Sequence, residues 1–81
     1  MATPTHLRLA IINRGRVMIV DEPIPNHPQA IADLAPACAQ MHANTRRAVH
    51  FQLRDPLDGK PLYVLENGAI TFQEPRGYRH K

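Results

Sequence analysis

Cys38, His42 and His50 are the residues of this sequence best suited to chemistry. Cys38 and His42 stand one helical turn apart, and His50 could complete a zinc-type ligand set, or either histidine could serve as base to a Cys38 thiolate. The surrounding pattern argues against both. No CxxC, HxH or HExxH spacing occurs, and Cys38 recurs with Ile31, Leu34 and Met41 at three- and four-residue steps, which puts it on an apolar stripe. A cysteine in an alanine-rich helix packs as a small hydrophobe, and nothing nearby supplies the electropositive, exposed setting of a reactive thiol.

The carboxylates Asp21, Glu22, Asp33, Asp55, Asp58, Glu66 and Glu74 form no spaced pair of acid/base or metal type. Asp55 and Asp58 flank Pro56 and precede Gly59, where turn hydrogen bonding accounts for them. The four glycines are isolated, so no phosphate-cradling loop exists and no cofactor is implied. These absences point to a non-enzymatic chain without catalytic, cofactor-binding or metal-binding residues.

Basic residues offer the remaining chemistry. Arg14 and Arg16 bracket a turn, Arg46 and Arg47 follow a helix, and Arg76, Arg79 and Lys81 surround Tyr78 near the end of the chain. Arg14, Arg16, Arg76, Arg79 and Lys81 are therefore candidate contacts to nucleic-acid phosphates, with His50, Gln52 and Arg54 as additions from a sheet face. Setting Arg76, Arg79 and Lys81 aside leaves seven basic residues against seven acidic, so the formal charge of +3 belongs to a six-residue tail. Arg46 and Arg47 have a simpler role beside the negative end of a helix dipole.

The elements that position these groups follow from periodicity. Leu7–Ile12 and Val17–Val20 are β-branched and aliphatic, and Arg14-Gly15 between them reads as a two-residue hairpin loop. That loop opposes Ile12 to Val17, Ile11 to Met18, Ala10 to Ile19, Leu9 to Val20 and Arg8 to Asp21, the last as an ion pair. Pro23, Pro25 and Pro28 then close off sheet pairing, which makes 22–27 a connector. From Pro28 to about Thr45 the pattern is helical, with Asn26 as N-cap and Pro36 expected to kink or split it. Val49, Phe51 and Leu53 alternate with His50, Gln52 and Arg54 as a third strand. Asn67-Gly68 closes a second hairpin in which Leu65 faces Ile70, Tyr63 faces Phe72 and Val64 faces Thr71.

The order β-β-α-β-β-β describes an α+β domain: an antiparallel sheet of about five strands with one helix, kinked or split at Pro36, on one face. At 81 residues there is room for one core, spanning 1–75, with 76–81 as a basic C-terminal tail. The first hairpin is apolar on both faces, and one helix covers only one. Ala10, Ile12, Val17 and Ile19 are therefore the candidate self-association residues, the most economical cover being a second copy. The lone cysteine, the lack of a signal-like start and the lack of a membrane-length apolar run point to a cytoplasmic protein without a membrane partner. The expected function is a small accessory or interaction module forming a homodimer. The alternative is a nucleic-acid-binding protein using turn and tail arginines.

Overall fold

The computed structural model describes residues 4–73; the basic tail lies outside them. β1 (His6–Asn13) and β2 (Arg16–Pro25) form the first hairpin. Arg14 and Gly15 take φ of +58° and +77°, the doubly left-handed loop that matches strand twist. The register from Ile12–Val17 to Leu9–Val20 is the expected one. Beyond Val20 it shifts, and Leu7 meets Ile24 instead, so Asp21 does not stand opposite Arg8. Arg8 is aligned with Arg54 on its other side. Nor is 22–27 a bare connector: β2 continues to Pro25, because an outermost strand tolerates prolines that an interior one would not.

The helical segment is split. α1 (Pro28–Ala32) ends at Asp33, whose N–H donates to Gln29, and α2 (Ala35–Thr45) restarts two residues later. Pro36 falls in the first turn of α2, where its missing N–H has no helical acceptor to lose. The N-cap of α1 is His27, which accepts the Gln29 N–H at 3.1 Å, rather than Asn26. Asn26 is occupied elsewhere, donating its side chain to the Pro4 carbonyl and its N–H to Thr5.

β3 (Val49–Arg54), β4 (Pro61–Glu66) and β5 (Ala69–Gln73) complete the sheet, whose order is β2-β1-β3-β4-β5 with every neighbour antiparallel. β2 and β3 flank β1 and run the same way, so the helical segment is a crossover above β1. Asn67 and Gly68 form the second left-handed loop, at φ +55° and +104°. Leu65 meets Ile70 as expected, but a shift follows and Val64 pairs with Phe72, so the Tyr63–Phe72 alignment does not form. A further shift between Leu53 and Arg54 leaves Leu62 as the extra residue, and it is buried in the core.

One face of the sheet carries Leu7, Leu9, Val49, Phe51, Leu53 and Leu65 against Ile31 and Cys38 of the helices. The helical stripe read from the sequence holds across the break: Ile31 and Cys38 are buried, and Leu34 and Met41 pack beside them. α2 sits close because its contact side is small. A Cβ on Gly68 would lie 2.8 Å from the Ala39 Cβ and 3.2 Å from the Ala35 carbonyl oxygen.

Two substitutions test this reading. Arg14→Asn, relieving a long side chain of a left-handed φ, should raise the urea-unfolding free energy by about 0.5–1 kcal/mol. Gly68→Ala meets both an unfavourable φ and the α2 contact, and should lower it by about 2 kcal/mol.

Candidate interaction surface

The helices cover one face, and the opposite face is a layer of single side chains. Rows across it follow from register: Val17, Ile12, His50 and Glu66 in one, Ile19, Ala10, Gln52 and Val64 in the next. The centre of this face is largely satisfied. His50 Nε2 lies 3.3 Å from a Glu66 carboxylate oxygen, and Arg54 donates through Nε and Nη2 to Gln52 Oε1 at 2.9 and 2.8 Å. Ala10 is fully buried, because the longer Ile19 and Gln52 beside it close over a methyl group. Of the four candidate self-association residues, Ala10 thus offers no surface and Ile12 is half-buried, whereas Val17 and Ile19 are open.

The openness belongs to β2 as a whole. Val17, Met18 and Ile19 are 53%, 62% and 41% exposed, three consecutive large apolar residues that alternate between the two faces. β2 ends the sheet, and no described strand pairs with its outer side. An exposed apolar strand at a sheet edge presents both hydrophobic surface and unpaired backbone groups. Met18 points to the helix-bearing face, but α2 does not close over it: with Ile11 of β1 and Met41 of α2 it lines a groove of about 540 Å³. Asn13, Arg14, Arg16 and Thr45 line the same groove, and Asn13 Oδ1 is buried without a hydrogen-bond partner.

No family model, no curated protein and no solved structure matches this chain. Its own geometry therefore carries the functional argument.

The structure does not bring the candidate chemical groups together. Cys38 is buried, and its Sγ donates to the Val49 and Leu65 carbonyls at 3.6 and 3.7 Å. His42 Nδ1 donates to the Arg47 carbonyl, and His50 lies on the far side of the sheet from Cys38. Among the described residues no three His, Cys, Asp or Glu side chains form a metal-sized cluster. Asp55 and Asp58 accept backbone N–H groups from Leu57 and Lys60, as their turn positions suggested. Arg14 and Arg16 are exposed together at the hairpin tip; Arg76, Arg79 and Lys81 lie outside the described residues. Among those residues no helix is long and apolar enough to cross a membrane.

Burial pushes the Cys38 thiol above its ordinary pKa, with the backbone groups of Gly68, Asn67 and Phe51 opposing the shift. The folded state thus holds this proton more tightly than the unfolded chain. That contribution to stability is complete below the ordinary thiol value of about 8.5 and is lost as pH climbs toward the raised one. Unfolding free energy should accordingly decline above about pH 9, and Cys38→Ala should remove that slope. In the native protein a thiol reagent should label Cys38 only as fast as the chain unfolds.

Proposed function

We propose that this chain is a small, non-enzymatic accessory module of the cytoplasm that works as a homodimer, joined through β2. The observation that carries this reading is the run Val17-Met18-Ile19, exposed on both sides of a ten-residue edge strand. Apolar surface at a free edge is costly in water, and proteins ordinarily shorten, charge or cover such strands. β2 runs ten residues, and its charges, Arg16, Asp21 and Glu22, flank the apolar run Val17–Val20 rather than interrupt it.

A nucleic-acid reading has less to stand on. Arg14 and Arg16 make a small cationic tip, while His50 and Arg54 on the open face are engaged with Glu66 and Gln52. A phosphate-tracking surface requires a longer run of unengaged cations.

Light scattering after size-exclusion chromatography, over a dilution series, tests the proposal. The expected result is a dimer that dissociates at about micromolar concentration, in keeping with an interface below the usual ~800 Å² per partner. Ile19→Lys should give a monomer with an unchanged circular dichroism spectrum, because the side chain it replaces is exposed. A wild-type protein that is monomeric at every concentration would sink the reading.

A further inference from the structure

The edge of β2 specifies how a second copy would sit on it. In a two-residue hairpin the residues flanking the loop, here Asn13 and Arg16, exchange both of their backbone hydrogen bonds. Within the regular ladder, alternation turns the backbone groups of Arg16, Met18 and Val20 inward toward β1 and those of Val17 and Ile19 outward to the free edge; past the shift after Val20, none of Asp21, Glu22 and Pro23 is aligned with a β1 residue. An added antiparallel strand must set outward residues against outward residues. Pro23 lies in this irregular stretch and has no N–H, so the usable edge stops before it. At the other end Arg14 and Gly15 are held in the left-handed turn. The usable edge is therefore Arg16 to Glu22.

We propose that two copies join by antiparallel pairing of this segment, with Ile19 opposite the partner's Ile19 on the two-fold axis and Arg16 of each opposite the partner's Glu22. The pairing rests on the self-association reading above and gives it a register. Val17 and Asp21 pair reciprocally, so the outward N–H groups of Val17 and Ile19 both find acceptors. A shift of two residues in either direction sets Asp21 against Gly15 or Val17 against Pro23, and forfeits hydrogen bonds. Charge selects the same arrangement. The segment is basic at one end, acidic at the other and apolar between, so only an antiparallel copy brings opposite charges together. Met18 gains Val20 of the partner on the helix-bearing face, and the two Ile19 side chains meet on the other.

The two five-stranded sheets become one continuous sheet. Because the contact is isologous, it consumes both β2 edges and stops at two copies. His6 and Arg8 line a small hollow with Asp21 and Glu22 within each copy, so the cross-copy pair sets register more than strength.

Charge reversal and a disulfide test the register separately from association itself. Arg16→Glu and Glu22→Arg should each weaken the dimer about tenfold. An equimolar mixture of the two, in which both cross-copy pairs are again opposite in sign, should return to wild-type affinity, as should the double variant. Ile19→Cys should cross-link to its own mate under mild oxidation, since paired Cα atoms about 5.5 Å apart suit a disulfide, and Val17→Cys should not. A wild-type dimer that is indifferent to both reversals, with no link through position 19, overturns the register and leaves self-association standing. A wild type that never dimerises removes both.

Discussion

The seating of α2 on the sheet is the constraint from which the remaining structure follows. Ala35, Ala39 and Cys38 make its underside nearly flat, and Gly68 lets the second hairpin turn rise against it. The Asn67 side chain accepts the Val49 N–H, and the Asn67 N–H donates to the Val49 carbonyl, so the same turn is tied to the start of β3. Helix, turn and strand are thus locked within one small region, where a methyl group too many has nowhere to go. With α2 fixed above β3, β4 and β5, the short α1 is the helix that packs most closely on β2. A crossover of this length cannot roof five strands, and the strand it leaves bare is the one farthest from Gly68.

Much of this was legible in the residues because short-range chemistry decides it. Two-residue loops with glycine second, alternation in 49–54 and the stripe through Ile31, Cys38 and Met41 each encode one element. The misread details were those settled by packing at longer range. The shifts after Val20, after Leu53 and between Val64 and Leu65 add residues to a strand without altering its local pattern, so no periodicity announces them. Pro23 and Pro25 break a central strand, yet serve an outer one, and which kind β2 would be depended on where β3 paired. Pro36 disrupts a helix interior but suits a first turn, and only the break at Asp33-Leu34 decides between them.

The exposed apolar edge was legible to a similar depth. Apolar residues on both faces of the first hairpin exceeded what one helix can cover, and the bare Val17 and Ile19 express that excess. Pattern alone could not separate Ala10 from them, because whether an alanine is covered depends on the reach of Gln52 and Ile19 in adjacent strands. It also could not find Met18, which points to the helix-bearing face and remains the most exposed residue of the run. Burial there is a matter of how far α2 extends, and that length is set by the left-handed cap at Arg46.

A free apolar edge ordinarily invites open-ended aggregation, and the distribution of residues along β2 bears on why this one need not. Pro23 and the register shift beside it interrupt the ladder partway, which leaves a segment too short to template an extended fibre and long enough to recognise its own reverse. An edge that is apolar in the middle, charged oppositely at its ends and closed by proline has one complement of its own length in the protein, which is itself turned around. On the proposed pairing, the exposure of Val17, Met18 and Ile19, costly in a monomer, is what would limit assembly to a pair.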